Sequence, residues 1–202
     1  MKITHKEKFD CDPCVLGKQV VHRNREADER ATVPLELVHS DLAGPIEPAA
    51  IDDLRYVMNF VDDFSGATFV YFLRQKSDAP RALEKFLADV SPFGTVQSIN
   101  IRYIPTANDE TVVKRLRTDN GGEFISKAFE DILIKHKIRH EFTCPYSPHQ
   151  NGGERTAERN WRTLFDAARS MLIESNLPKQ LWTYAVMTAA HIRNRMYSQR
   201  IR

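Results

Sequence analysis

Apolar positions recur along this chain with two different periods. In PLELVHSD they alternate into a short strand that ends at Asp41, and Gly44-Pro45 then breaks it. Residues 56–61 and 67–73 are β-rich runs joined by DDFSG, the pattern of a hairpin. The Asp62 and Asp63 carboxylates in that turn read as local hydrogen-bond acceptors. The period then changes. Ala82, Leu83, Phe86, Leu87 and Val90 share one face of a helix, with Ser77 as its N-cap and Pro80 early enough to be tolerated.

Residues 94–111 show only weak alternation (Ile99, Ile101, Tyr103), which fits an edge strand or a surface loop. A strand at 112–117 follows, closed by Asp119 and the Gly121-Gly122 turn. Ser126 opens a helix carrying Phe129, Ile132, Leu133 and His136 toward the core, and IRHEF (138–142) is the last strand. TCPYSPHQNGG is a loop. The helix predicted at 154–176 has Leu164, Ala168, Met171 and Leu172 as its stripe, and Leu177-Pro178 ends it. A final helix at 180–197 buries Leu181, Trp182, Ala185, Ala189 and Ile192. Three strands, a helix, a strand, a helix, a strand and two helices predict an α/β fold with a mixed sheet flanked by helices.

Composition narrows the class. A chain of 202 residues that is 42% hydrophobic and 28% charged suits one globular domain with short appendages. No apolar run approaches the roughly 18–20 residues that span a bilayer, and MKITHKEKFD has no signal-peptide core, so neither membrane insertion nor secretion is expected. Three cysteines argue against a disulfide framework. The net charge of +2 hides an asymmetry: residues 31–150 carry 13 Lys/Arg against 17 Asp/Glu, and residues 151–202 carry 9 against 4. An acidic centre beside a basic C-terminal region suits a metal-dependent enzyme acting on nucleic acid.

The candidate chemistry sits at element ends. Asp41 and Asp119 each close a strand, and Glu154 and Glu158 begin the long helix, an arrangement that can assemble a divalent-metal site. Arg155, Arg159 and Arg162 recur at i, i+4 and i+7 as a basic stripe able to contact phosphates. His149, Gln150 and Asn151 lie in the loop before it. Cys11 and Cys14, in CDPCVLGKQ, could supply half of a tetrahedral zinc site, which needs two further ligands.

HSDLAGPI, FVDDFSGATFVYF, LRTDNGGEF and SPHQNG…AERNWRTL, in this order, resemble the catalytic core of a copia-type LTR retrotransposon integrase, from about Cys11 to the C-terminus. The resemblance implies an RNase H-like fold and a two-metal Mg²⁺ (or Mn²⁺) polynucleotidyl transferase joining element DNA ends to target DNA. It also implies a homo-oligomer, and a protein of the nucleus, or of the cytoplasm before import. It assigns Asp41 and Asp119 as the first two metal ligands. For the third, the family's spacing falls on Arg155, between Glu154 and Glu158. Glu158 keeps the family's AER motif and its six-residue distance to Leu164, and Glu154 is the alternate one turn earlier. The family's upstream histidines are not matched by His5 or His22, so residues 1–30 read as a remnant of a zinc-binding module and linker. Residues 31–202 read as the core, with an insertion near 97–111. Two other readings share this fold: a catalytically decayed nucleic-acid-binding fragment of a polyprotein, and a simple nuclease.

Overall fold

The computed structural model describes residues 30–93, 112–143 and 152–196. Three antiparallel strands come first: β1 (Leu37–Ala43), β2 (Tyr56–Asp62) and β3 (Thr68–Leu73). The turn between β2 and β3 is held by Asp62, whose Oδ2 accepts the Ser65 N–H at 3.0 Å, and by Gly66, at φ 76°. A helix, α1 (Ala79–Val90), leads to β4 (Arg115–Thr118), and α2 (Lys127–Lys135) leads to β5 (Arg139–Phe142). Both of these strands run parallel to their neighbours, which requires crossover connections. The sheet order is β3-β2-β1-β4-β5. Two helices, α3 (Gly152–Glu174) and α4 (Trp182–Arg193), complete the described chain.

Alternation along each strand divides the core in two. Val38, Met58, Phe60 and Leu116 face α1 and α2, where they pack with Leu83, Phe86, Phe129 and Leu133. Phe86 and Phe60 stack with centroids 4.1 Å apart, and the Phe69 and Tyr71 rings meet Phe86 edge-on. On the opposite face Val57 packs with Trp161, Leu164 and Ala168 of α3 and with Trp182, Ala185, Val186 and Ala189 of α4. These helices cover β1, β2 and β3. The outer edge of β3 is closed by one side chain: Asn194 accepts the Thr68 N–H at 2.8 Å and donates to the Thr68 carbonyl at 2.7 Å.

Several boundaries differ from the sequence expectation. β1 runs two residues past Asp41, because Leu42 and Ala43 still pair with Met58 and Val57. The helix after β3 begins at Ala79 with Asp78 as N-cap, and Ser77 belongs to a preceding 3₁₀ turn. His136 is only half-buried, since the helix ends at Lys135 and the chain turns through Lys137 at φ 54°. Ile192 is exposed (48%), because α4 presents Ala185, Ala189 and Ala190 inward instead. Leu181 sits in the 3₁₀ turn before that helix and is half-buried. The expected insertion near 97–111 lies outside the described residues.

Candidate active site

Asp41 stands in the middle strand, opposite Asn59 of β2. Its backbone N–H donates to the side-chain oxygen of the fully buried Asn59 at 3.0 Å. Its Oδ1 accepts the Leu42 N–H at 2.8 Å and its Oδ2 accepts the Trp161 indole N–H at 3.1 Å. Trp161 lies on α3, so this bond also ties the long helix to the carboxylate. A second bond from the same helix, Asn160 Nδ2 to Thr68 Oγ1 at 2.9 Å, fixes its passage over the sheet.

Asp119 follows β4 directly and is exposed. Its Oδ1 accepts the Gly121 N–H at 2.9 Å, closing a local turn. A Cβ at Gly121 would stand 3.0 Å from Asp119 Oδ1 and 2.9 Å from Glu123 Cδ, so a larger residue there would push on both carboxylate side chains. Glu123, which sequence reasoning missed, thus shares the turn with Asp119 and pairs with Lys76 Nζ at 3.4 Å.

β1 and β4 pair in parallel through Leu37–Arg115, Val38–Leu116 and His39–Arg117, and Asp41 and Asp119 each stand two residues beyond that last pair. Alternation along β1 turns Asp41 toward the side of α3. One row below on that face lie His39, Arg117 and Glu141. His39 Nε2 is 3.2 Å from Asp63 Oδ1, and Asp63 also accepts the Ala31 N–H at 3.0 Å. Burial pushes the Asp63 carboxyl up. The bonds from His39 and Ala31 and the charges of His39 and Arg30 outweigh it and bring the group down to about 2.

Sequence-predicted residues separate into three groups. Asp41, Asp119 and Arg162 have described side chains, and Arg162 is exposed. Glu154, Arg155, Glu158 and Arg159 lie in α3, with side chains outside the described residues. Cys11, Cys14, His149, Gln150 and Asn151 lie outside the described residues altogether. Among the described residues no three His, Cys, Asp or Glu side chains converge on one metal position. Asp41 and Asp119 both offer carboxylates, the hard oxygen ligands that Mg²⁺ and Mn²⁺ take, so by donor type they fit such an ion as part of its ligand set. Trp161 is buried, and it also contacts Asp41.

The mixed sheet with helices on both faces, with Asp41 on its middle strand and Asp119 just past the end of β4, is an RNase H-like core of the retroviral integrase type. Residues 31–148 match the integrase core domain family. The chain is 38% identical over 185 residues to a retrovirus-related Pol polyprotein from transposon TNT 1-94 of Nicotiana tabacum, covering 92% of this chain and 13% of that one. A second Pol polyprotein, from transposon RE2 of Arabidopsis thaliana, is 29% identical over 189 residues, covering 93% and 12%. The chain thus spans about an eighth of the length of these relatives. The catalytic core domain of HTLV-2 integrase, solved in complex with magnesium in a trimeric form, superposes with TM-score 0.56 at 19% identity, covering 83% of this chain and 90% of that one. A chain of the simian T-cell lymphotropic virus intasome, solved in complex with PP2A regulatory subunit B56 gamma, gives 0.61 at 20% identity, covering 84% and 51%. This chain belongs to the integrase core domain family, in its copia-type retrotransposon branch.

Proposed function

We propose that this chain is the catalytic core of a polynucleotidyl transferase that joins retroelement DNA 3′ ends to target DNA. The observation that carries the reading is that Asp41 and Asp119 each stand two residues past the last β1–β4 register pair, with Trp161 binding α3 to the first of them. Asp41, Asp119 and a glutamate of α3 would hold Mg²⁺ or Mn²⁺. Of the two glutamates, position 158 is one helical turn from Trp161 and position 154 is two. The shorter separation from the Asp41 contact favours Glu158. When bound, the metal pair activates the attacking hydroxyl and stabilises charge on the leaving oxygen.

The chain's own residues orient these groups. Leu42 N–H and the Trp161 indole fix the plane of the Asp41 carboxylate, and Gly121 N–H fixes one oxygen of Asp119. Arg155, Arg159 and Arg162 on α3, with His149, Gln150 and Asn151 before it, would hold DNA phosphates and set its register. The element 3′-oxygen then bonds to a target phosphorus as the bond from that phosphorus to the target 3′-oxygen breaks. The attacking hydroxyl's proton leaves to water, and the new target 3′-hydroxyl takes one up. Joining two ends calls for a homo-oligomer, and the DNA substrate for the nucleus. Cys11 and Cys14 would belong to a zinc-binding remnant over residues 1–30, ahead of a core at 31–202.

QNGGERTAER carries three residues more before its AER than the family's motif. That displacement favours a second reading, a DNA-binding chain that keeps the fold without the chemistry. Strand transfer, or its reversal on a branched oligonucleotide, separates the two. With Mn²⁺ the wild type is expected to react, while EDTA, Asp119→Asn and Glu158→Gln abolish the reaction and Glu154→Gln retains it. A wild type that binds DNA and reacts no faster than Asp119→Asn would establish the second reading.

A further inference from the structure

The chain holds Asp119 at two of its own atoms. Its Oδ1 accepts the Gly121 N–H and its backbone carbonyl accepts the Thr118 hydroxyl, each at 2.9 Å. Thr118 is the last residue of β4 and is buried. The β4–β5 register closes there, with Phe142 as its partner and the Thr143 N–H on its carbonyl at 3.0 Å. Asp119 stands past that last rung, so the Thr118 hydroxyl extends the order of the strand by one peptide group.

The same hydroxyl meets a third group. His140 Nε2 lies 2.9 Å from Thr118 Oγ1. A hydroxyl has one proton, and a carbonyl can only accept. Thr118 therefore donates to Asp119 and accepts from His140, which places an imidazole proton on Nε2. Burial pushes His140 below the ordinary imidazole value, toward the neutral ring that carries a single such proton. The ring is itself held in place: its centroid is 4.2 Å from that of Phe142 and 6.0 Å from that of Phe129. Donation from the imidazole polarises the hydroxyl and strengthens the hydroxyl's own bond to the carbonyl.

We infer that His140 is a positioning residue for the metal site: acting through Thr118, it fixes the peptide group of Asp119 and so the direction in which the carboxylate is presented. The inference rests on the assignment of Asp119 as a metal ligand. Gly121 then sets the carboxylate end of the residue, and the Thr118–His140 pair sets its backbone end. A ligand that must be reoriented as the ion arrives binds it less tightly, which is how a partner outside the coordination shell tunes a site.

The test is Mn²⁺ affinity by isothermal titration, at a temperature where far-UV circular dichroism shows each variant folded. Wild type and Asp119→Asn set the frame. If wild type binds no Mn²⁺, or Asp119→Asn binds equally well, the metal assignment itself falls and takes the inference with it. Within that frame, Thr118→Val keeps the shape, removes the hydroxyl and is expected to weaken binding about tenfold. Thr118→Ser, which keeps the hydroxyl, is expected to bind as wild type does. His140→Phe keeps a ring and loses the donor, and should weaken binding by a smaller factor. His140→Gln, whose amide donates from a similar reach, should recover it. Thr118→Val/His140→Phe should bind no more weakly than Thr118→Val, because His140 acts only through the hydroxyl. A folded Thr118→Val or His140→Phe with wild-type affinity overturns the inference. So does a double variant whose losses multiply, since His140 would then act by another route. A Gln variant as weak as the Phe variant overturns it too, because the donor would not be what matters. Where His140→Phe does not fold, His140→Leu takes its place in every comparison, and where Thr118→Val does not fold, the His140 variants decide alone. A merely structural pair would lower the melting temperature and leave the Mn²⁺ affinity of the folded protein unchanged.

Discussion

The two faces of the sheet are built on opposite principles. The face under α1 and α2 centres on a closed aromatic cluster in which Phe60, Phe86 and Phe129 are fully buried. The face under α3 buries polar groups among its apolar ones: His39, Asn59, Asp63 and Asn160 are all nearly inaccessible. Asn59 Nδ2 and Asn160 Oδ1 have no hydrogen-bond partner among the described residues, although their other amide atoms are engaged. Buried polar atoms of this kind are costly unless matched. The comparison teaches that the larger aromatic core lies on one face and the polar groups around Asp41 on the other, although Ser40, Asp62 and Thr118 are buried on the first and a second apolar cluster on the other. Asp41 lies on the second face because that is where a fixed carboxylate can be held without being fully buried.

The sharpest way to break this division is Phe86→Ala. Removing a stacked, fully buried ring should cost about 3–5 kcal/mol in urea unfolding. The division also requires that folded Phe86→Ala bind Mn²⁺ with wild-type affinity, because nothing it touches reaches Asp41. A large loss of affinity would show that the two faces are one cooperative unit.

Asp63→Asn probes the polar face at smaller amplitude. The wild-type carboxyl is held down at about 2 against an ordinary 3.8, so folding gains about 2 kcal/mol from it at neutral pH. A depressed carboxyl contributes fully above its unfolded value and loses the contribution as pH falls through the folded one. Urea midpoints should therefore converge for wild type and variant between about pH 4 and pH 2, and differ most at pH 7. A constant difference across that range would place the effect elsewhere than in the charge.

Trp161→Phe tests the link between the helix and the carboxylate. The ring stacking with Phe165 (5.4 Å) is largely kept, and only the donor to Asp41 is lost. Loss of an outer partner of a metal ligand typically costs about tenfold in metal affinity, and that is the expected change in Mn²⁺ titration. Stability should fall by about 1 kcal/mol. Unchanged affinity would mean that the Trp161 bond is not needed to orient Asp41.

The apolar face was more legible in the sequence than the polar one, for a physical reason. Period-two and period-3.6 patterns report burial directly, so the strands at 56–61 and 67–73 and the stripe from Ala82 to Val90 matched the structure closely. Asp41 and Asp119 stood out in the sequence as candidates because each sits in a recognisable local motif. Trp161 did not, since its bond to Asp41 spans 120 residues and no spacing rule encodes it.

The smallest prediction compares the ends of one helix from each face. α2 closes with Lys137 at φ 54°, with the Ile138 N–H reaching back to the Leu133 carbonyl at 2.9 Å. α3 closes in the same way with Asn176 at φ 50°, and Leu177 N–H bonds the Leu172 carbonyl at 3.1 Å. Both are left-handed helix ends, where glycine fits best and asparagine is tolerated better than other residues. Lys137→Gly removes the Cβ strain and loses some of that gain to the freer unfolded chain, leaving a stabilisation of about 0.5 kcal/mol. Asn176→Gly should gain less, because asparagine already reduces the strain. Equal gains at the two sites would show that the side chain at this position is immaterial. A loss at Lys137 would mean that its side chain contributes more than the backbone geometry costs, and that the apolar-face helix is held at its end by charge as well as by packing.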